Sequence, residues 1–153
     1  MKEKVITLLN KGRSAELGAI AQYMIHHYEL EDQDFGKLAA RVKEVAIVEM
    51  KHAERLAERI LFLGGVPTSK PDLDPQKGQS IPEILATEEA LEKKAVAMYN
   101  EASALCADLR DQKSRDLFDD LVADEEKHLS LFENLRNHVE KLGPSYLVTF
   151  AGK

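Results

Sequence analysis

The feature that most constrains this chain is an apolar stripe stepping by three and four residues, repeated four times and broken each time near its middle by an acidic side chain. Three-four spacing places a stripe on one face of an α-helix. The first reads Ile6, Leu9, Arg13, Glu16, Ile20, Tyr23, His27 and Leu30. The second reads Leu38, Val42, Val45, Glu49, His52 and Leu56, with Ile60 and Leu63 continuing it. The third is Leu85, Glu88, Glu92, Ala95, Tyr99, Ala102, Cys106 and Leu109; the fourth is Phe118, Leu121, Glu125, His128, Phe132, Leu135, Val139 and Leu142. Helices of this length span roughly 40 Å. The pattern predicts an all-α four-helix bundle with helices at about 3–32, 35–63, 81–109 and 114–142.

The breaks set the connectivity. Asp32-Gln33-Asp34-Phe35-Gly36 and Arg110-Asp111-Gln112-Lys113 are short turns, so helices one and two, and three and four, form antiparallel hairpins. Gly64-Gly65-Val66-Pro67 stops the second helix, and Ser80, with Pro82 and Glu83 behind it, is the N-cap signature of the third. The linker of about 16 residues can stretch to roughly 50 Å, enough to cross the bundle and set helices two and three parallel. After Gly143-Pro144 an apolar tail, Ser145 to Phe150, reads as a short fifth helix at about 144–150. It has two possible homes, other subunits or its own bundle.

Acidic side chains at mid-stripe carry the functional argument. Glu16, Glu49, Glu92 and Glu125 are core-facing, one per helix, and His52 and His128 follow the second and fourth by three residues. Counted from the turns, all six groups fall near mid-height. Four buried carboxylates are very costly unless cations or protons neutralise them. Carboxylate oxygen with imidazole nitrogen suits two first-row metal ions, with iron, manganese and zinc all open. One Glu-x-x-His is a weak signal; two on facing stripes, each beside a Glu at the same height, are much stronger. The competing reading is a set of exposed charges on misphased helices, or salt bridges to Arg13 and its neighbours.

Bulk properties narrow the class. A net charge of −6 argues against nucleic-acid or membrane partners, and the single cysteine, Cys106, fits a reducing compartment, with the cytoplasm as the expected location. Cys106 lies on an apolar stripe and reads as unreactive core. His26, His27 and His138 lack metal-ligand spacing and read as surface or interface residues.

Four segments resemble the bacterioferritins: Ala15 to Tyr23, Glu49-Met50-Lys51-His52-Ala53-Glu54, Glu54 to Pro67, and Asp124-Glu125-Glu126-Lys127-His128. The likeness covers nearly the whole chain and implies a single ferritin-like domain over 1–153. It implies a di-iron ferroxidase centre in which Glu49 and Glu125 bridge, Glu16 with His52 and Glu92 with His128 complete the two ends, and Tyr23 stands beside the metals. It also implies Met50 as axial ligand of a haem shared by two subunits. On its own, the pattern around Met50 reads as a gap-filler at an ordinary dimer contact. The activity implied is oxidation of Fe(II) by O2 or H2O2, with the ferric product stored in a homo-oligomeric shell of 24 subunits built from twofold dimers. A ferredoxin-type electron donor would release it. The chain departs from some relatives at Glu44 and Val48, where they carry a histidine and an aspartate that bind a further iron. Competing functions are a rubrerythrin-like di-iron peroxidase, disfavoured by the single cysteine, a non-haem ferritin, and a haem carrier with a vestigial metal site.

Overall fold

In the computed structural model, which describes Met1–Lys153, four long helices form the body: α1 (Lys2–Asp32), α2 (Gly36–Phe62), α3 (Ile81–Asp108) and α4 (Gln112–Leu142). A short α5 (Pro144–Leu147) runs into a 3₁₀ turn at Val148–Phe150. No helix is long and apolar enough to cross a membrane.

Local chemistry explains the boundaries. Ser80 Oγ accepts from the Glu83 amide, and the Glu83 carboxylate accepts from the Ser80 amide, closing a capping box ahead of α3. Asp111 caps α4 by accepting from Ser114 N at 3.0 Å. Three helix ends close alike, with the amides of Phe35, Gly65 and Asp111 reaching the carbonyls of Leu30, Ile60 and Cys106, each at 2.9 Å. The residue before each amide is left-handed: Asp34 at φ 65°, Gly64 at φ 87° and Arg110 at φ 61°.

The crossover between α2 and α3 follows α1 from one end to the other. Asn10 Nδ2 donates to Val66 O at 3.0 Å, Arg13 Nε to Thr68 O at 2.8 Å, and Ser14 Oγ to Lys70 O at 2.6 Å. Further along, Gln22 exchanges two bonds with the Gln76 backbone, and Gly78 N donates to Glu29 Oε2 at 2.7 Å. From Asn10 to Glu29 that is about 29 Å of helix. Chain that left α2 at the start of α1 therefore enters α3 near the end of α1, which sets α2 and α3 parallel. The approach is close at Gly18, where a Cβ would lie 2.2 Å from Asp72 Oδ1.

The apolar core is split. One cluster holds Tyr23, Leu30, Leu38, Val42, Leu85 and Phe132; the other holds Leu9, Leu56, Ile60, Tyr99, Phe118 and Leu121. Each large side chain buried there contributes about 1.5–3 kcal/mol, so the two ends hold a middle that is polar.

The tail takes its own bundle as its home within the chain. Tyr146, Leu147 and Phe150 pack on the first cluster, and Gly152 N donates to Asp34 O at 2.8 Å beside the α1–α2 turn. Two expectations are corrected: His26 and His27, read as surface or interface residues, are buried, whereas His138 is exposed. The reason is that α1 is covered on more than one side, by α2, by α3 and by the crossover. A single stripe underestimates how much of its circumference is lost to solvent. His27 Nδ1 donates to Ala39 O at 2.7 Å, and His26 lies 3.1 Å from Glu88 Oε2 and 2.8 Å from Gln79 Oε1.

Candidate metal centre

Between the two apolar clusters the four helices bring together Glu16 from α1, Glu49 and His52 from α2, Glu92 from α3, and Glu125 and His128 from α4, all buried. They form two groups whose ligand atoms lie within 4.8 Å of one another. One is Glu16, Glu49, His52 and Glu125; the other is Glu49, Glu92, Glu125 and His128. Glu49 and Glu125 belong to both. His52 Nδ1 stands 3.0 Å from Glu16 Oε2 and 3.4 Å from Glu125 Oε1. His128 Nδ1 stands 3.2 Å from both Glu49 Oε1 and Glu125 Oε1. Arg13 plays no part in neutralising the cluster, since its guanidinium donates to the carbonyls of Thr68 and Ala53. The salt-bridge alternative is thereby excluded.

The electrostatics are those of a cation site. Glu49 Oε1, Glu92 Oε2, both oxygens of Glu125 and His128 Nδ1 are buried without a hydrogen-bond partner. Such atoms in a native fold call for an ion or a functional explanation. Burial first, and then the charges of Glu16, Glu125 and Glu92, hold the Glu49 carboxyl well above the usual carboxylate range. Burial likewise lifts Glu92 to about 7. For His128, burial pulls downward, but the facing carboxylates of Glu125 and Glu92 outweigh it and carry the imidazole up to about 10. Two divalent cations would supply the charge that these carboxylates lack, displacing the protons. The donor set therefore fits a metal pair.

Two phenols hold the ends. Tyr23 Oη donates to Glu92 Oε1 at 2.6 Å, and Tyr99 Oη donates to Glu16 Oε1 at 2.7 Å. Each tyrosine thus orients the terminal carboxylate of the opposite hairpin. The resemblance implies Tyr23 beside the metals, whereas periodicity presents Tyr99 only as a core aromatic. A signal for it existed. Glu16, Tyr23, Glu49 and His52 recur 76 positions later as Glu92, Tyr99, Glu125 and His128. The site has an internal twofold pattern in sequence as well as in space.

Two further groups were not legible as such: Asp124 and His26 lie off the stripes, and Glu88, though on the third stripe, has its partner on another helix. Asp124 Oδ2 accepts from His52 Nε2 at 2.9 Å, outside the ligand set. His26 and Glu88 form a fully buried pair between α1 and α3, held also by Gln22 and Gln79. A cavity of about 20 Å³, lined by Glu16, Tyr23, Glu92 and Glu125, reaches outward to Asp72 and Lys94. That is room for about one water molecule. Met50 lies apart from this centre, 53 % exposed on the outer face of α2, with Ile47 exposed one turn earlier.

Comparison with known proteins agrees with this geometry. Residues 6–142 match the family described as "Ferritin-like domain". The bacterioferritin of Desulfovibrio desulfuricans is 42 % identical over 99 % of this chain and 84 % of its own length. A crystal structure of that organism's bacterioferritin, described as showing the diiron site in different catalytic states, superposes with a TM-score of 0.97 at 41 % identity, covering 99 % of this chain and 89 % of that one. The Rhodobacter capsulatus bacterioferritin, solved with a metal-free dinuclear site and haem iron in a crystallographic special position, gives a TM-score of 0.94 at 36 % identity, covering 99 % and 95 %.

Proposed function

The chain belongs to the bacterioferritins, within the ferritin-like family, and from that membership we propose that it is an iron-storage protein that oxidises Fe(II) at the centre described above. The observation that carries the reading is the pair of four-residue groups sharing Glu49 and Glu125. Two positions with two common carboxylates hold two ferrous ions side by side. Glu49 and Glu125 span both ions, Glu16 with His52 serves one, and Glu92 with His128 serves the other. Each ferrous ion gives up one electron, and the pair of electrons reduces O2 to peroxide, or H2O2 to water, without releasing a one-electron radical.

The protein's own groups have definable tasks. The carboxylates must release their protons to bind, which is why metal uptake is coupled to pH. Tyr23 and Tyr99 fix the terminal glutamates in ligating orientation, and Asp124 fixes the His52 ring. The two apolar clusters keep bulk water from the middle of the bundle.

Met50 is proposed as an axial haem ligand, paired with Met50 of a second copy across a twofold contact of α2. Its exposed thioether, with Ile47 one turn away on the same face, supports the assignment. A haem held there would supply one-electron transfer to the stored ferric iron. We place the protein in the cytoplasm, as a closed homo-oligomeric shell. Twenty-four copies of the 17.2 kDa chain would give about 410 kDa by light scattering.

The test of the oxidation reading is rapid-mixing kinetics of Fe(II) in air with Glu125→Ala. Loss of the fast phase with helix content unchanged supports the assignment; unchanged fast oxidation refutes it. For the haem, the visible spectrum of protein made with ample porphyrin should show an intense Soret band that Met50→Ala removes. No haem in the parent would refute the Met50 assignment and leave the metal centre standing.

A further inference from the structure

All six ligand groups are buried, so an ion needs a way in, and the small cavity over the centre marks one. The cavity touches Glu16, Glu49, Glu92 and Glu125, one carboxylate from each helix, and its outer end is formed by Asp72 and Lys94. Its neck is apolar and lies between α1 and α3, with Ala15 and Ala19 on one side and Leu91, Ala95 and Met98 on the other. Ala15 and Leu91 are 76 positions apart, as are Ala19 and Ala95, so the neck follows the same internal repeat as the centre. At about 20 Å³ it admits one water-sized particle at a time.

The repeat breaks at the rim. Position 18 on α1 is glycine, and 76 positions later α3 carries Lys94. Glycine leaves the room that the crossover fills: a Cβ there would lie 2.2 Å from Asp72 Oδ1 and 3.1 Å from Leu73 Cγ. The crossover is pinned at this point, with Asp72 N donating to Ser14 O at 3.1 Å and Ser14 Oγ to Lys70 O at 2.6 Å. Asp72 Oδ2 lies 3.7 Å from Lys94 Nζ. One carboxylate thus bridges from α1 to α3 over the neck, with an ammonium on its far side. Beyond the pair, a groove of about 320 Å³ with Gln22, Asp74 and Gln76 in its wall shares Leu91 and Lys94 with the neck. A cation arriving along the groove meets Asp74, then the Asp72–Lys94 pair, then the carboxylates of the centre.

We propose that Asp72 and Lys94 form the outer gate through which divalent cations enter the centre, Asp72 receiving the ion and Lys94 setting the barrier to its passage. This rests on the reading of the site as a metal pair. A divalent ion carries twice the charge of the ammonium and competes with it for the same carboxylate. The ion pair is partly open to solvent, so it is weak and separates readily. One unit of charge at the rim should change the rate of entry by about 3- to 10-fold, and by less at high ionic strength. Both residues stand outside the ligand groups. They therefore alter entry and exit alike, and affinity at the centre should stay within about threefold.

The test is anaerobic stopped-flow uptake of Co(II) by the full-length protein, followed by the visible absorption of the bound ion. Lys94→Gln should speed uptake about 3- to 10-fold and Asp72→Asn should slow it by a similar factor, with release rates moving in step. A charge switch on one variant separates the gate from a packing effect. Lys94→Cys carries a single reactive thiol, because Cys106 is buried and burial lifts its thiol to about 11. Capped with aminoethyl methanethiosulfonate, which restores an ammonium, the variant should return to slow, parent-like uptake. Capped with the sulfoethyl reagent, it should take up Co(II) faster than the uncapped variant, and high salt should shrink the gap between the two. Uptake rates indifferent to these charges, with Co(II) still bound at the centre, overturn the proposal and leave the metal-pair reading intact. Rates that shift only in step with affinity also overturn it, since the residues would then act on the site and not on the way in. No Co(II) uptake by the parent removes both.

Discussion

Replacing Glu125 with leucine should move the stability of the metal-free and metal-loaded protein in opposite directions. Glu125 is fully buried, and both of its oxygens lack a hydrogen-bond partner. Each unpaired buried acceptor costs about 1–3 kcal/mol, and leucine roughly fills the space without needing one. The substitution removes contacts of 3.4 Å to His52 and 3.2 Å to His128, but each imidazole keeps other carboxylates within 3.6 Å. The net gain for the metal-free bundle is about 2–4 kcal/mol. At about 2–4 °C per kcal/mol, its melting temperature should rise by about 5–15 °C. In the parent, an ion at a hundred times its dissociation constant contributes about 2.7 kcal/mol, so two ions add about 5 kcal/mol and about 10–20 °C. Glu125 is common to both ligand groups, so the variant should lose most of that increment. Scanning calorimetry of chelator-treated and Co(II)-saturated proteins gives all four melting temperatures. A metal-free variant no more stable than the parent, or one retaining the full metal shift, would refute the reasoning.

Other consequences follow from the same geometry. Glu49 and Glu92 are both held above the ordinary range, so the folded metal-free protein keeps protons that the unfolded chain releases. Its stability should fall as pH rises from about 4.5 to about 7, by about 3 kcal/mol for Glu92 alone, and denaturant melts showing a rise there would contradict this. His128 acts in the same sense, its contribution being lost as pH rises through about 10. Tyr99→Phe removes the 2.7 Å bond to Glu16, which should cost about 1–2 kcal/mol of stability and weaken the Glu16–His52 metal position about tenfold, measurable by Co(II) titration. Arg110 sits at φ 61° where glycine carries no Cβ penalty, so Arg110→Gly should stabilise by about 0.5–1 kcal/mol in a denaturant melt.

What the sequence made legible followed from periodicity. An acidic residue interrupting a three-four apolar stripe is conspicuous, so Glu16, Glu49, Glu92 and Glu125 could be placed on core faces and at one height before any coordinates. The helix limits lie within two residues of expectation because breaks such as the Ser80 cap and the Arg110–Lys113 turn are local signals, and the larger offset, at the start of α4, falls where Asp111 acts as a cap that the turn disguised. What escaped was non-periodic or disguised. Tyr99 looks like any core aromatic until its hydrogen bond is seen. His26 and Glu88 lie 62 positions apart and pair only because α3 and the crossover cover a second face of α1. Asp124 stands beside a ligand and off the stripe, so only the position of His52 across the bundle reveals its part. The tail offered two homes on pattern alone, and the Gly152–Asp34 bond comes from packing that no spacing encodes.

An anaerobic Fe(II) titration of the metal-free protein, followed by admission of O2 and a count of electrons delivered, decides whether the four helices hold a working metal pair. Binding should saturate at two ferrous ions per chain, with both oxidised in one fast phase. Saturation at some other number, or fast oxidation by protein that has bound only one ion per chain, would contradict it.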